Sequence, residues 1–337
     1  MLTFVLGGGG TKGAAQAGAI RALMERDIFP DMLIGTSAGA INAALIAAKP
    51  TLEGIGQLEN AWRDLTSEVL FGSGRRSAAW RTVRGQPSLY DNHNLEQFLV
   101  EQAPEISTFA QLQKKLYVVA SELRTGRPYV FGDRPNENVI DAVMASTAVP
   151  PVFPPVQHKG VWLVDGGVSA NLPLRIAIQR GATEIYALDI STQPPQIPEH
   201  MRVWTATELS VSAMVRQQVR DELAWTRLQP GVTLHYLRLP FSSATSMWDV
   251  DAIEDFLDLG YAAAKIFLIR RALPHPERSL LRTLWGAMGA VRRAVNAVVV
   301  GVVWVLRLGL RLVWRRGQAH LVDEVAGGPD GADVDGV

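Results

Sequence analysis

The sequence predicts an α/β layer fold over residues 1–273. Short runs rich in β-branched residues alternate along this stretch with longer segments of helical periodicity, which is the pattern of strands and covering helices. A glycine-rich turn also separates the first predicted strand from the first predicted helix. Of the 337 residues, 47% are hydrophobic and 20% are charged, so the chain can bury a sizeable core. One domain is the simplest interpretation of this part.

Hydrophobic periodicity places the individual elements in chain order. Strands are predicted over residues 3–7, 32–36, 116–123, 128–131, 161–164, 184–190 and 232–239. Helices are predicted over residues 12–26, 38–48, from about 174, and over 203–227 and 251–271. Residues 125–127 read Thr-Gly-Arg and predict the turn of a hairpin between the third and fourth strands.

Charge and cysteine content exclude several classes of protein. The 33 basic residues balance 33 acidic ones, so nucleic acid is not an expected partner. The chain has no cysteine, which excludes disulfides, thiolate metal sites and a Cys nucleophile, and suits a reducing compartment. Residues 1–6 carry no basic segment, so we expect no secretory signal and a cytoplasmic location. Acidic residues do not cluster at ligand spacing, and we therefore expect no metal and no cofactor.

Residues 7–13 read GGGGTKG between the first strand and helix, where backbone N–H groups at a helix N-terminus can stabilise an anion. Gly8, Gly10 and Gly13 also match the dinucleotide pattern G-x-G-x-x-G. That pattern needs an acid about 20 positions further on, at the end of the second strand. The nearby acid, Asp31, stands at the start of that strand instead. A phosphate loop is disfavoured too, because no Gly-Lys-Ser/Thr follows.

Residues 35–39 read GTSAG and match G-x-S-x-G between a strand and a helix. In this setting the two glycines allow a sharp turn that presents Ser37 Oγ, and the N–H of Ala38 can join an oxyanion hole. A structural turn is the alternative interpretation of so short a motif. The position of the motif favours a nucleophile.

A serine nucleophile needs a base to take its proton. None of the six histidines lies in a recognisable motif, and an ordinary α/β-hydrolase would place several strands before the elbow. The other candidate is Asp165, which ends a predicted strand beside Gly166 and Gly167 and could approach Ser37 directly. A structural turn aspartate is the alternative at this point.

Three ordered motifs then resemble the patatin-like phospholipases. They are residues 6–13 with Gln16 and Gly18, residues 35–40 with Asn42, and residues 165–168 with the Asn-Leu-Pro run at 171–173. The proline-rich stretch at 145–155 also resembles the family's segment before its catalytic aspartate. The resemblance covers residues 2–273 and implies a three-layer α/β/α fold with a central, mostly parallel sheet.

The resemblance also implies roles for individual residues. Ser37 would be the nucleophile and Asp165 its partner and general base, with no histidine. Amides around Gly8, Gly9 and Gly10, together with Ala38, would form the oxyanion hole. Lys12 occupies the family's Arg/Lys position, where it can steer the loop or meet a lipid phosphate. Gly7 stands where the family often has a small residue such as Ser.

Two segments lack acidic residues. Between Glu68 and Asp91, four arginines surround Trp80, which suits a solvated loop or a lipid-facing lid. The second segment lies in a predicted helical appendage over residues 274–320, where arginines punctuate an apolar sequence. An interfacial helix is favoured for it over a single membrane span or a buried partner helix. Residues 321–337 form an acidic, glycine-rich tail that we expect to be disordered.

These observations predict a serine acyl hydrolase of the phospholipase A or lysophospholipase type, acting through an acyl-enzyme at a membrane surface. The expected partners are a phospholipid or other acyl-ester lipid and the membrane itself. A neutral-lipid or short-chain esterase with the same dyad, and an inactive membrane scaffold of the same fold, are the alternatives. The oligomeric state stays open.

Overall fold

A twisted central sheet organises the chain, as seen in a computed structural model that describes residues 1–72, 81, 83–104, 107–193, 200, 203–242 and 245–272. The chain divides into two units, Met1–Ile269 and Arg270–Val337. The second unit is described over residues 270–272 alone. The predicted appendage at 274–320 and tail at 321–337 therefore lie outside the described residues.

In the described part of the chain, eight strands form one sheet in the order β5-β6-β3-β2-β1-β7-β8, with β4 also paired to β3. The five strands β3, β2, β1, β7 and β8 run parallel to one another. Strands β4 and β6 run antiparallel to β3. The strands are β1 (Leu2–Leu6), β2 (Met32–Thr36), β3 (Lys115–Glu122), β4 (Pro128–Phe131), β5 (Val156–His158), β6 (Val161–Asp165), β7 (Glu184–Asp189) and β8 (Thr233–Arg238).

Helices connect and cover these strands. They are α1 (Gly13–Met24), α2 (Ala38–Ala48), α3 (Leu52–Asp64), α4 (Ser67–Phe71), α5 (His93–Gln102), α6 (Val139–Ser146), α7 (Gly167–Ala170), α8 (Leu174–Gln179), α9 (Val203–Thr226) and α10 (Ile253–Ala272). A short 3-10 turn, Gly10–Lys12, precedes α1.

Alternation along β1 shows why the fold has three layers. Phe4 and Leu6 pack into a core with α1, α2, α3, α5, α6 and α10. Val5, between them in sequence, packs into a second core with α7, α8 and α9 on the opposite face. Because successive strand residues point to opposite faces, both faces of the central strands are buried. The predicted three-layer α/β/α fold with a mostly parallel sheet is confirmed.

The predicted strands and helices occur within one or two residues of their expected ends. The hairpin is also present, since β3 and β4 pair antiparallel. The sequence interpretation did not include α3 to α7 or strand β5. The signal for α3 was available, because Thr51 caps it by accepting the Gly54 N–H at 3.1 Å, and Ile55, Leu58 and Trp62 recur at helical spacing.

Among the helices the structure describes, none combines the length and apolar character needed to cross a bilayer. The segment predicted to bind or span a membrane lies outside those helices.

Candidate active site

Ser37 lies in a sharp turn between β2 and α2. Its backbone takes φ 54° and ψ −126°, a strained conformation for a residue with a side chain. Glycines on either side make the turn possible. A Cβ on Gly35 would lie 2.3 Å from the Gly39 carbonyl oxygen, and a Cβ on Gly39 would lie 2.2 Å from the Leu6 carbonyl oxygen. The predicted elbow is therefore present, at the carboxyl end of a parallel strand.

A hydrogen bond from another helix braces this turn. The Ser37 N–H donates to Ser146 Oγ at 2.8 Å, and Ser146 Oγ donates to the Val119 carbonyl oxygen at 2.6 Å. Ser146 is fully buried at the end of α6. The sequence interpretation assigned Ser146 no role. A signal for the start of α6 was available, because Asn138 caps this helix by accepting the Asp141 N–H.

Asp165 ends β6, and the register of the sheet brings it level with Ser37. Asp165 pairs with Ala120 of β3, while Thr36 of β2 pairs with the adjacent Val119. The Asp165 carboxyl is buried, and its Oδ1 accepts the Gly167 N–H at 2.7 Å. Its Oδ2 has no hydrogen-bond partner among the residues described. One buried acceptor beside the serine is thus available.

Burial raises the pKa of Asp165 to about 6. Interactions with the Ser37 side chain and the Gly167 N–H act in the opposite direction and lower this pKa. The carboxyl is therefore mostly ionised at neutral pH, yet it is a stronger base than an exposed aspartate. The structure brings together Ser37 and Asp165, which lie far apart in sequence.

Backbone N–H groups beside Ser37 differ in whether they are already paired. The Gly8 N–H donates to the Asn171 carbonyl oxygen at 3.3 Å. The N–H groups of Gly9, Gly10 and Ala38 have no acceptor within the described ranges. The Gly8 N–H, which is predicted to supply an oxyanion-hole amide, is tied back in this way to the segment after α7. The lack of a side chain at Gly8 still matters, since a Cβ there would lie 2.9 Å from Ser37 Cβ.

A buried polar network supports the glycine loop from below. Gln16 Nε2 donates to the carbonyl oxygens of Gly7 at 2.9 Å and Leu188 at 3.0 Å. Asn42 Nδ2 donates to Gln16 Oε1 at 2.9 Å, and Trp62 Nε1 donates to Asn42 Oδ1 at 2.8 Å. These bonds connect α1, α2 and α3 beneath the site, so they hold the loop and the elbow in one arrangement.

Lys12 is buried at the end of the 3-10 turn, with Nζ 5.8 Å from the centre of the Phe241 ring. Burial lowers the pKa of Lys12 to about 8, and the negative charges of Glu208 and Asp189 partly offset that effect. The ammonium group is therefore mostly charged at neutral pH in a partly desolvated setting. Such a cation attracts a ligand anion strongly.

Two pockets meet at Ser37. The first, which we call the apolar pocket, lies between α2, α3 and α5 and is lined by residues such as Ile41, Leu58, Trp62 and Leu99. The second, which we call the mixed pocket, combines apolar and polar side chains and is lined by residues that include Lys12, Asp165, Asn171, Ser191 and Gln218. Ser37 and Val149 line both pockets. Helices missed by the sequence interpretation therefore form much of the apolar pocket.

Histidines and the first arginine segment lie away from this centre where they are described. None of His93, His158, His200 and His235 lines either pocket. His275 and His320 lie outside the described residues. In the arginine segment, Arg81 is held by the carbonyl oxygen of Ser88 at 3.2 Å and by Ser88 Oγ at 3.1 Å. Arg75, Arg76 and Trp80, on which the lid interpretation depends, lie outside the described residues.

One known protein family matches this chain. The patatin-like phospholipase family matches residues 4–178, which contain the glycine loop, the elbow and Asp165. The chain belongs to the patatin-like phospholipase family. The match covers more than half of the 337 residues.

Individual proteins are also similar to this chain. The lysophospholipase NTE1 of Candida glabrata is 24% identical over 293 residues, which is 78% of this chain and 16% of that protein. The uncharacterized protein YqhO of Bacillus subtilis is 33% identical over 187 residues, which is 50% of this chain and 64% of that protein. The patatin-family chain thus spans about a sixth of the first relative and less than two thirds of the second.

Solved structures with a similar chain path include VipD from Legionella pneumophila, with a TM-score of 0.42 and 16% identity over 79% of this chain and 66% of that one. Another is ExoU from Pseudomonas aeruginosa in its complex with SpcU, with a TM-score of 0.44 and 17% identity over 81% of this chain and 53% of that one.

Proposed function

We propose that this chain is a serine acyl hydrolase of the phospholipase A or lysophospholipase type, which cleaves fatty-acyl esters of membrane lipids. One observation carries the proposal. Ser37 lies where the apolar pocket and the mixed pocket meet, beside the buried Oδ2 of Asp165 that lacks a partner among the described residues. An ester with a long acyl chain and a polar alcohol fits such a junction, because each half meets a pocket of its own character. Family membership supports the same reaction class.

The chemistry starts with attack of Ser37 Oγ on the ester carbonyl carbon, while Asp165 Oδ2 takes the hydroxyl proton. The carbonyl oxygen becomes an oxyanion, which the N–H groups of Gly9, Gly10 and Ala38 would stabilise. Removing one such donor typically lowers the rate by about 10² to 10³. The intermediate collapses when the alcohol oxygen leaves with the proton from Asp165, and an acyl ester forms on Ser37.

Deacylation repeats these steps with water as the nucleophile. Asp165 takes a proton from the water molecule, whose oxygen attacks the acyl carbon, and the fatty acid leaves as Ser37 recovers its proton. The pKa of about 6 suits Asp165 to both steps, because a base near neutrality accepts a proton readily and releases it again.

The two pockets also indicate which lipids suit the site. Transfer of the acyl chain into the apolar pocket contributes about 0.8 kcal/mol per buried CH₂ group. On the alcohol side, Lys12 lines the mixed pocket and offers a positive charge to a headgroup phosphate. A neutral lipid would offer that buried charge no anionic group, which favours phospholipid or lysophospholipid over triglyceride. Because such lipids reside in bilayers, we expect peripheral association with a membrane.

Product analysis tests the proposal. Purified wild type is incubated with phospholipid, lysophospholipid and triglyceride, and the released fatty acid is measured beside Ser37→Ala and Asp165→Asn. We expect release from the phosphate-bearing lipids and a loss of at least 10³-fold in both variants. Ser67→Ala and Asp64→Asn change an exposed serine and an exposed aspartate, and they serve as matched controls.

Two outcomes would contradict the proposal. Release from triglyceride or short-chain esters alone would indicate a neutral esterase. Absence of release together with absence of Ser37 labelling by a fluorophosphonate would indicate an inactive scaffold.

A further inference from the structure

Exposed apolar side chains surround the opening of the mixed pocket. Val168, at the start of α7, is 52% exposed, and Val211 and Met214 of α9 are 49% and 58% exposed. All three line the same pocket as Ser37 and Asp165. We call these three residues the mouth patch. Single exposed apolar side chains are common on protein surfaces. A group of them at one opening, from two separate elements, instead indicates an interaction surface.

Contacts at the base of α9 show which way this patch faces. Gln218 Nε2 donates to the Val168 carbonyl oxygen at 2.8 Å, and its Oε1 accepts the Asn171 N–H at 3.3 Å. Gln218 is therefore level with the loop that follows Asp165. Helix α9 connects the carboxyl end of β7 to the amino end of β8, so it runs back along the sheet. Val211 and Met214 precede Gln218 and therefore lie beyond the carboxyl ends of the strands. The mouth patch thus projects from the face on which the site opens.

Three arginines lie near the same carboxyl ends of the strands, on the side of α9 opposite the mouth patch. Arg216 and Arg220 are one helical turn apart, and Arg238 is the last residue of β8. Arg238 Nη2 donates to the carbonyl oxygen of Thr192, a residue that lines the mixed pocket. We call these three residues the basic cluster.

In the described part of the chain, the hydrogen bonds of Arg220 and Arg238 go to neutral groups and not to carboxylates. Arg216 Nη1 is buried without an acceptor in the described part of the chain, and Arg220 is held by neutral Gln217 at 2.7 Å. Within that part no ion pair includes these arginines, and the ion pair of α9 joins Glu222 to Arg175. Among the described residues the nearby acids are Glu208, Asp189 and Asp221, so the basic cluster and Lys12 together exceed them by one positive charge. This edge is complementary to a surface of negative charge.

We infer that the mouth patch and the basic cluster dock the enzyme on a bilayer that contains anionic lipid. The mouth patch enters the headgroup region while the arginines attract the lipid charge, and the mixed pocket then opens directly against its substrate. This inference rests on the proposed function, since a lipid hydrolase must take its substrate from such a surface. It assigns membrane contact to the folded unit itself, in addition to the segment predicted beyond residue 273.

Site-specific labelling tests the inference on the full chain. The protein has no cysteine, so a single introduced cysteine can carry an environment-sensitive fluorophore without further changes. Met214→Cys and Val211→Cys report on the mouth patch. Leu228→Cys is the control, because Leu228 is 79% exposed and follows the end of α9 at the opposite edge of the sheet. All variants carry Ser37→Ala, so binding is measured without hydrolysis.

Vesicles of phosphatidylcholine with about 30% phosphatidylglycerol provide the anionic surface. We expect the labels at 211 and 214 to shift to blue emission and to be quenched by spin-labelled lipid, while the label at 228 does neither. Binding by a chain whose labels at 211 and 214 stay unquenched would overturn the inference, and so would absence of binding.

Charge is tested separately by co-sedimentation with the same vesicles. Arg216→Gln with Arg220→Gln should weaken binding about 30-fold, since each cation contributes about 1 kcal/mol near such a surface. Arg26→Gln with Arg227→Gln, at the opposite edge, should leave binding unchanged. Equal affinity of both double variants would overturn the electrostatic part. Hydrolysis of a soluble monomeric ester by the wild type reports on the proposed function alone, so failure of one proposal is distinguishable from failure of the other.

Discussion

The backbone N–H of Ser37 and the hydroxyl of Ser146 form a 2.8 Å hydrogen bond that links the elbow to α6. Ser37 adopts an unfavourable backbone conformation, and such strain persists when the surroundings hold it in place. Ser146 also donates to Val119, so one hydroxyl connects the elbow, a helix end and the central sheet. The position of Ser37 Oγ therefore depends on a residue outside the elbow motif.

Replacing this hydroxyl should destabilise the protein. In Ser146→Ala the buried Ser37 N–H loses its acceptor and the Val119 carbonyl oxygen loses the Ser146 hydroxyl, and we expect the free energy of unfolding to fall by about 1–3 kcal/mol. Urea denaturation measures the change, with Ser67→Ala as the exposed serine control. An unchanged midpoint in Ser146→Ala would show that the bond does not support the elbow.

Glycine at position 39 is required by close packing. A Cβ there would lie 2.2 Å from the Leu6 carbonyl oxygen, so Gly39→Ala should lower the free energy of unfolding by about 3 kcal/mol or more. Gly56→Ala is the matched control in α3, because a Cβ at Gly56 meets nothing within 4 Å. That change should raise stability by up to about 1 kcal/mol through helix propensity. Thermal unfolding measures the stability of both variants. Equal unfolding temperatures would show that the elbow relaxes to accept the Cβ at position 39.

The apolar pocket should determine acyl-chain preference. Leu99 of α5 lines this pocket, and Leu99→Phe adds volume where a long chain would lie. We expect kcat/KM for a long-chain lipid to fall at least about tenfold, with little change for a short-chain ester. Leu52→Phe adds the same volume at a half-exposed site and should alter neither. Equal losses for both substrates would indicate a general packing defect instead of a chain-binding role.

The strands and the elbow could be predicted from sequence because they depend on local patterns, whereas the role of Asp165 and the three-layer arrangement followed from the resemblance to the patatin-like phospholipases. Periodicity identified the strands, and the elbow motif gave Ser37 its place between β2 and α2. The pairing state of Gly8 could not be predicted, because its partner Asn171 is supplied by a distant segment. The same holds for Ser146, whose role arises when α6 packs against the elbow. Helices α3 and α5 carry helical patterns that the sequence interpretation did not use, and so the apolar pocket was not foreseen.

Ionisation of Asp165 should make stability depend on pH. Its pKa in the folded protein, about 6, is above the ordinary value of 3.8, so its stabilising effect is complete below about pH 3.8 and is lost as pH rises through about 6. The loss is on the order of 3 kcal/mol. Asp165→Asn cannot ionise, so it should become more stable relative to wild type between about pH 4 and pH 8. Urea denaturation at both pH values checks this. A constant difference between the two proteins would mean that the carboxyl is not desolvated.

The central claim is that Asp165 takes the proton of Ser37, and the pH dependence of Ser37 labelling by a fluorophosphonate tests it most directly. In wild type the labelling rate should rise with a midpoint near the Asp165 pKa of about 6 and then level off. In Asp165→Asn the rate should be low at every pH and lack this midpoint, whereas Asp64→Asn should behave as wild type. Labelling of Asp165→Asn at the wild-type rate, with the same midpoint, would contradict the account.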